Sequence, residues 1–306
     1  MPSRRTVVIT GASAGIGAAA AHRLGRREDT RLLLLGRDPE RTRRVAEATG
    51  AEHLIADFTE LDQVRTAASQ LRQRCGRIDV LALNAAAVHR HHRRTVDGFE
   101  ATLQVNHLAH ALLTELLADL IEAPQSTDAA GAAVVVTASR AERHSVLTPP
   151  LDRRRLEGGD HWCPHHAYAA SKLGNVLYAR ALARHRPTLR PVSFHPGVIN
   201  TGLASALSLR HRFLYRSAGL VSPLNVIDGG DNLVHFIDGI PGRTWQPGVH
   251  YDADRTRSRL SALASDDDVA ESHWRLTRQM LGLTPEAGTG EPSTVPAAPQ
   301  RPLIDS

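Results

Sequence analysis

Short apolar runs alternate with longer amphipathic segments along most of the chain. The runs have the length and β-branched composition of strands, and in the segments between them apolar residues recur with helical period. Strands are predicted at residues 7–10, 32–35, 53–56, 80–83, 134–137 and 191–195, with a seventh short strand at 248–251, and helices at 16–27, 39–49, 61–74, 95–122 and 167–186. This alternation predicts an α/β fold, with one doubly wound parallel sheet of about seven strands and helices on both faces.

The pattern fades near the C-terminus, which indicates a domain boundary. The chain has 306 residues, and its hydrophobic residues, 42% of the total, are spread evenly. That length and composition fit one large α/β domain. From residue 284 onward Pro, Ala, Thr and Gly dominate and large apolar residues are nearly absent. We therefore expect a single domain over residues 1–283 and a disordered tail over 284–306.

Composition also limits the compartment and the metal chemistry. No apolar run approaches the roughly 18 residues of a membrane span. Two cysteines, Cys75 and Cys163, are too few for a disulfide framework and lack metal-ligand spacing, which predicts free thiols and a cytoplasmic protein. Adjacent histidines at 91–92 and 165–166 have no carboxylate set near them, so no metal site is predicted.

A formal net charge of +5 raises the question of a nucleic-acid partner. The arginines are scattered and interleaved with Asp and Glu, and aromatic residues, which stack on unpaired bases, make up only 4% of the chain. We therefore interpret the charge as a property of the solvated surface and expect no nucleic-acid partner.

The first predicted strand leads directly into a glycine-rich turn and an alanine-rich helix. Glycines there permit a tight turn and close approach of the backbone to a pyrophosphate, and the helix N-terminus offers unpaired N–H groups. This strand–turn–helix context predicts a Rossmann-type domain whose phosphate site is made by Gly11, Ser13, Ala14, Gly15, Ile16 and Gly17.

The end of the second predicted strand indicates which dinucleotide binds. Folds that select NAD place an acidic residue there to hold the ribose hydroxyls, but Gly36 occupies this position and Arg37 follows. Arginine can pair with the 2′-phosphate of NADP, so we predict NADP(H) in preference to NAD(H). Asp38, one residue further on, leaves the use of NAD open.

Lys172 is the only lysine in the chain, and the remaining 36 of the 37 Lys and Arg residues are arginines. It follows Tyr168 by one helical turn, which places both side chains on the same face of a helix. Reducing a ketone needs a proton donor at the developing alkoxide. A compact ammonium favours proton release from a neighbouring phenol. The spacing therefore predicts Tyr168 as the proton donor and Lys172 as the cation that activates it and binds the nicotinamide ribose.

The motifs at residues 10–17 and 168–172 resemble those of the short-chain dehydrogenase/reductase family. The similarity runs from about residue 6 to residue 281, and it is greatest with the retinol-dehydrogenase-like branch. The resemblance implies that Ser139 orients the substrate carbonyl and that Asn106 holds a proton-relay water, beside Tyr168 and Lys172. It implies cofactor contacts from Asp57 and Phe58 at the adenine, and from Asn84, Ala85, Pro196, Gly197, Val198 and Thr201 as well as Tyr168 and Lys172.

One position departs from the family pattern. Ala86 stands where the family usually has the glycine of an Asn-Ala-Gly run. The extra methyl is expected to shift the strand end slightly without abolishing cofactor binding.

Apolar residues after the catalytic segments indicate the kind of substrate. Residues about 200–225 are rich in leucine and resemble a substrate lid, although docking of a helix on the core explains them equally well. An insertion at 147–164, with Trp162 near its end, is expected to form another wall. A small lipophilic or polycyclic carbonyl or alcohol is the predicted substrate. The resemblance leaves a homodimer and a homotetramer both open.

The leading hypothesis is an NADP(H)-dependent oxidoreductase, a ketone or aldehyde reductase that also works as an alcohol dehydrogenase. A sugar-nucleotide epimerase or dehydratase reuses a Tyr and Lys pair, but such relatives usually carry a longer C-terminal substrate domain. A cofactor-binding regulator without turnover is the non-enzymatic alternative. It predicts a damaged catalytic set, whereas all four residues are present.

Overall fold

A seven-stranded parallel sheet organises the part of the chain that the structure, a computed structural model, describes: residues 4–122, 132–198 and 225–283. Its order is β3-β2-β1-β4-β5-β6-β7. The strands are β1 Arg5–Thr10, β2 Thr30–Gly36, β3 Glu52–Ile55, β4 Val80–Leu83, β5 Ala133–Thr137, β6 Pro191–Phe194 and β7 His250–Tyr251. Each neighbouring pair is parallel. The predicted doubly wound fold is confirmed, including its short seventh strand.

Helices pack on both faces of this sheet. They are α1 Gly15–Leu24, α2 Pro39–Thr49, α3 Leu61–Arg74, α4 Ala101–Leu103, α5 Ala109–Glu122, α6 Arg153–Leu156, α7 Pro164–His185, α8 Val226–Asp238, α9 Ala262–Ser265 and α10 Asp267–Met280. Side chains alternate along each strand, so Val8 enters one apolar core while Val7 and Ile9 enter the other. Helices α3, α5, α7 and α10 line the first core, and α1, α2 and α8 line the second.

Two helix starts differ from the prediction by three residues or more, and capping explains both. The helix predicted from residue 95 begins only at Ala101, because Gly98 has φ of 79° and the Glu100 carboxylate accepts a hydrogen bond from the Leu103 N–H at 2.7 Å. Helix α7 begins at Pro164 rather than at residue 167. Cys163 caps it there, and proline suits the first helical position.

Several predictions fall outside the described residues. The proposed lid at 200–225 lies outside them apart from Asn225, as do Thr201 and the tail at 284–306. Within the described ranges, no helix has the length and hydropathy needed to cross a membrane. The same ranges contain no group of three or more His, Cys, Asp or Glu residues suited to a metal ion. Both cysteines are free thiols.

Candidate active site

The strands β1, β4 and β5 are tied together at their carboxyl ends. The Thr10 hydroxyl oxygen accepts hydrogen bonds from the N–H groups of Asn84 at 2.8 Å and Ala85 at 3.0 Å. The Asn84 amide donates to the Thr10 carbonyl at 3.1 Å and accepts from the Thr137 hydroxyl at 3.3 Å. The predicted cofactor residues Asn84 and Ala85 are therefore held at the sheet edge where parallel α/β folds bind ligands.

The turn after β1 has the close packing that a phosphate cradle requires. Gly11 has φ of 67°, and a Cβ there would lie 2.5 Å from the Ala85 Cα. A Cβ at Gly17 would lie 2.5 Å from the Gly11 carbonyl oxygen. Ala14 at the N-cap makes no side-chain cap to α1, and the first turn of α1 has no acidic residue. Its N–H groups are thus left for an anion, and the turn fits a dinucleotide phosphate.

The end of β2 has no room for a side chain at the position where an NAD-selective acid would stand. A Cβ on Gly36 would collide with the Thr42 hydroxyl and lie 3.1 Å from the Ser13 Cβ. The Asp38 carboxylate accepts a hydrogen bond from the Arg41 N–H at 3.0 Å and so caps α2. Arg37 is exposed between these two residues.

The predicted adenine pair lies at the end of β3. Asp57 Oδ1 accepts hydrogen bonds from the N–H and the hydroxyl of Thr59, both at 2.9 Å. The ring of Phe58 is buried and packs edge-on against His110, with 5.3 Å between the ring centroids. Any contact between Phe58 and a nucleotide therefore falls to its backbone.

Lys172 lies beside Tyr168 in a buried environment. Its Nζ is 5.6 Å from the centroid of the Tyr168 ring and donates to the Thr137 carbonyl at 3.0 Å. Only 2% of Lys172 is exposed, and this burial lowers the pKa of the ammonium to about 8. Tyr168 itself is partly exposed.

Ser139 lies two residues beyond the end of β5 and is buried. Its Oγ accepts a hydrogen bond from the Ala141 N–H at 3.1 Å, which caps the 3₁₀ turn Arg140–His144. A hydroxyl group has one hydrogen to donate besides its two lone pairs. Ser139 therefore caps a turn and still has its own O–H for a substrate carbonyl.

Asn106 lies in a π-helical turn, Gln104–Leu108, between α4 and α5, a geometry that is frequent at functional sites. Its Oδ1 accepts from the Ala87 N–H at 2.7 Å, and its Nδ2 donates to the Ala87 carbonyl and to Ser171 Oγ, both at 3.0 Å. Both amide hydrogens are thereby used. The side chain holds the loop after β4 against α7. Because no amide hydrogen is left to donate, Asn106 would bind a relay water through an oxygen atom.

The segment after β6 reaches the same edge of the sheet. The Pro196 carbonyl accepts a hydrogen bond from Asn232 Nδ2 at 3.3 Å, Gly197 has φ of 106°, and Val198 is 41% exposed. Strands β5 and β6 are neighbours. The three predicted cofactor residues after β6 therefore lie beside the segment after β5 that contains Ser139.

Sequence reasoning assigned no role to Ser171, Asn175 or the Thr137 carbonyl. Ser171 and Asn175 flank Lys172 along α7, and helical period alone could have placed them on the catalytic face. The Thr137 carbonyl accepts from both Lys172 and Asn175. No side-chain pattern marks it, because the acceptor is a backbone atom.

Comparison with known proteins identifies the family of this chain. A sequence model described as short chain dehydrogenase matches residues 5–149. A protein of Streptomyces sp. (strain C5), assigned as daunorubicin C-13 ketoreductase DnrU, is 38% identical over 92% of this chain and 93% of its own length. The chain belongs to the short-chain dehydrogenase/reductase family, and its members are oxidoreductases, as predicted.

Two further similarities cover nearly the whole chain. Mouse retinol dehydrogenase 14 is 28% identical over 91% of this chain and 86% of its own length. The solved structure of an uncharacterised protein from Mycobacterium paratuberculosis superposes with a TM-score of 0.69 at 25% identity, over 91% of this chain and 93% of that one.

Proposed function

We propose that this chain is an NADP(H)-dependent ketoreductase that acts on a lipophilic, polycyclic carbonyl compound. The observation that carries the reaction is the buried Lys172 ammonium beside the Tyr168 ring, 5.6 Å from its centroid. Ser139, which has a hydroxyl hydrogen to donate, lies two residues from the Thr137 carbonyl that binds Lys172. These groups supply what carbonyl reduction requires, a proton donor, a cation and a hydrogen bond to the substrate oxygen.

Each residue has one task in the proposed reaction. When bound, the nicotinamide supplies the hydride. Ser139 donates its hydroxyl hydrogen to the substrate oxygen and orients the carbonyl. Tyr168 transfers its phenol proton to that oxygen as negative charge develops on it, and the Lys172 ammonium stabilises the phenolate that remains. In the direction of alcohol oxidation the same proton returns to Tyr168.

Arg37 supports the choice of NADP(H). The crowding at Gly36 excludes an acidic side chain from the end of β2, and the Asp38 carboxylate that follows caps α2. Burial lowers the pKa of His89, and the charges of Arg93 and Arg37 act on it in the same direction. Arg37 therefore lies near the loop after β4, the loop that follows the predicted cofactor residues Asn84 and Ala85.

Replacing Arg37 with glutamine is expected to raise the KM for NADPH about tenfold or more, because a charge-assisted hydrogen bond to phosphate is lost. The KM for NADH should stay the same. Arg41→Gln, which removes an equal charge from an exposed residue of α2, is the matched control and should affect neither. Steady-state kinetics with both nucleotides measure the difference. Equal effects of the two substitutions would mean that Arg37 acts only through the net charge of the surface and not through contact with the 2′-phosphate.

A set of planar rings supports a polycyclic substrate. The His144 and His165 rings lie 5.8 Å apart between centroids, and His92 packs edge-on against Trp162 at 5.5 Å. His144 ends the turn that Ser139 begins, and His165 precedes Tyr168 by three residues on α7, so it lies on the same helix face. Flat ring systems stack on such groups. The name of the Streptomyces relative points to a carbonyl substrate of the same kind.

Replacing His165 with alanine is expected to raise the KM for a planar polycyclic ketone roughly fivefold, since a stacked ring pair contributes about 1 kcal/mol. Cyclohexanone should be reduced with unchanged KM. His161→Ala is the control, because His161 is exposed and lies in the turn before α7. An equal rise for both ketones would mean that His165 shapes the site rather than contacting the rings.

The proposed function is tested by following oxidation of NADPH and NADH with daunorubicin, tricyclic aromatic ketones and small aliphatic ketones. We expect turnover with polycyclic ketones, with a higher kcat/KM for NADPH than for NADH. Absence of nucleotide oxidation with every ketone and aldehyde offered would contradict the proposal. It would favour epimerase or dehydratase chemistry, or a cofactor-binding regulator without turnover.

A further inference from the structure

The π-helical turn contacts α7 on both sides of Lys172. Asn106 donates to Ser171 Oγ at 3.0 Å, and His107 Nδ1 lies 3.3 Å from Asn175 Oδ1. Ser171 immediately precedes Lys172, and Asn175 follows it by about one helical turn, on the same face. Two neighbouring residues of the π-helical turn, Asn106 and His107, therefore form hydrogen bonds with α7 on either side of Lys172.

Asn175 also reaches the acceptor that Lys172 uses. Its Nδ2 donates to the Thr137 carbonyl at 3.3 Å, and Lys172 Nζ donates to the same oxygen at 3.0 Å. Thr137 is the last residue of β5 and lies two residues before Ser139. One backbone carbonyl thus joins the lysine, the asparagine and the strand that leads to the serine.

The chemistry of the groups fixes the direction of each hydrogen bond. A carbonyl only accepts, so the nitrogen of the Asn175 amide faces Thr137 and its oxygen faces His107. His107 must then donate from Nδ1, and its Nε2 accepts from the Thr277 hydroxyl at 2.9 Å. Burial lowers the pKa of His107 to about 4. Near neutral pH the ring carries one proton, on Nδ1, and the chain of bonds has a single orientation.

No carboxylate among the described residues contributes to the lowered pKa of Lys172, for which burial is the cause. The imidazoles of this region are uncharged near neutral pH, since burial also lowers the pKa of His110 to about 3 and that of His273 well below its usual value. A buried ammonium without a counter-ion depends on its hydrogen-bond acceptor for its position. The Thr137 carbonyl, which accepts from Nζ, therefore sets the position of the Lys172 ammonium.

We propose that Asn175, oriented by His107, is a positioning residue for Lys172. It holds the Thr137 carbonyl in place, and the carbonyl in turn directs the two remaining N–H groups of Nζ toward Tyr168 and toward the bound nucleotide. A lysine side chain is flexible and its three donors rotate freely. A second donor from the same helix fixes the acceptor relative to α7, so that Lys172 and Tyr168 keep one relative geometry. The effect on turnover rests on the proposed function, but the effect on Lys172 does not.

The single lysine makes the positioning role directly measurable. In protein labelled with [13Cε]lysine, the full chain gives one lysine signal, from Lys172, and its pH titration is followed without cofactor or substrate. Asn175→Leu keeps the number and branching of the side-chain heavy atoms and removes both hydrogen bonds. We expect it to displace the signal and to shift the titration midpoint by about half a pH unit or more. An unchanged signal and midpoint would overturn the proposal.

Two substitutions of His107 separate positioning from packing, and they also serve if Asn175→Leu does not fold. Asparagine places an amide N–H near the Nδ1 position and keeps the donor to Asn175, whereas glutamine reaches the Nε2 position and leaves Asn175 without it. We expect His107→Asn to retain the lysine signal and most of the kcat, despite a lower Tm from its smaller volume. We expect His107→Gln to shift the signal and to lower kcat roughly tenfold with unchanged KM for the ketone.

The reverse order would overturn the positioning role. If glutamine, which is closer to histidine in volume, preserves both the lysine signal and kcat better than asparagine, packing alone explains His107. Failure of the ketoreductase assay would leave the lysine titration as it stands. Failure of the titration would leave wild-type reductase activity untouched, so the two proposals are judged separately.

Discussion

Replacing Tyr168 with phenylalanine is expected to lower kcat for ketone reduction by about a thousandfold, the typical contribution of a positioned general acid. The substitution removes only the phenol O–H and leaves the ring beside Lys172, 5.6 Å from Nζ. Folding should therefore be preserved. NADPH consumption under saturating ketone measures the loss, and thermal unfolding shows that the fold is intact.

Tyr178→Phe is the matched control for this substitution. Tyr178 lies on the same helix, is buried, and stacks on Trp274 at 5.4 Å between centroids, ten residues beyond Tyr168. Loss of its hydroxyl should cost at most about 1 kcal/mol of stability and leave kcat nearly unchanged. Undiminished turnover in Tyr168→Phe, or equal losses in both variants, would remove Tyr168 from the mechanism.

Replacing Lys172 with arginine is expected to lower kcat at least a hundredfold while the chain still folds. Only 2% of the lysine is exposed, and its ammonium donates a hydrogen bond to the Thr137 carbonyl at 3.0 Å. A planar guanidinium is larger, presents its donors in a fixed fork and never releases a proton. Overpacking at such a site costs about 1–3 kcal/mol, which a domain of this size tolerates.

Lys172→Met separates charge from shape in this experiment. Methionine has a similar length and no charge, so it should fold and be as inactive as the arginine variant. Steady-state kinetics and thermal unfolding of the three proteins measure turnover and stability separately. A fully active Lys172→Arg enzyme would mean that the one lysine of this chain lies next to Tyr168 by coincidence.

The sheet could be predicted from sequence because each strand is a short, nearly continuous apolar run. Strand β4 and helices α2 and α3 have the predicted bounds. The start of the helix before Asn106 was predicted too early. Its apolar period extends back to residue 95, whereas Gly98 adopts φ of 79° and Glu100 caps the helix. Local capping there overrides the hydrophobic pattern.

The capping role of Asp38 at the end of β2 could have been predicted from sequence. An acidic residue followed by proline is a helix start signal, because the carboxylate caps the helix and proline suits its first position. Asp38 and Pro39 have this arrangement, and the structure places Asp38 as the cap of α2. The crowding around Gly36 could not be predicted, since Thr42 and Ser13 approach it only in the folded chain.

Sequence motifs locate Tyr168, Lys172 and Ser139, but not the groups that hold them. The Thr137 carbonyl and the Thr10 hydroxyl, which joins β1 to Asn84, act through contacts between residues distant in sequence. Such contacts depend on the register of parallel strands and on backbone atoms, which all residue types share. The candidate reacting groups can therefore be predicted from residue type and spacing, whereas identifying the groups that hold them requires the structure.

Transfer of deuterium from NADPH that carries deuterium at both C4 positions of the nicotinamide distinguishes the proposed reductase from its alternatives in one experiment. The wild-type enzyme is incubated with a polycyclic aromatic ketone, and the product is analysed by mass spectrometry beside the Tyr168→Phe variant. We expect an alcohol with one deuterium on the former carbonyl carbon, one NADPH consumed per alcohol, and almost no product from the variant. An alcohol without deuterium, or a nucleotide that is not consumed, would contradict hydride transfer at this site.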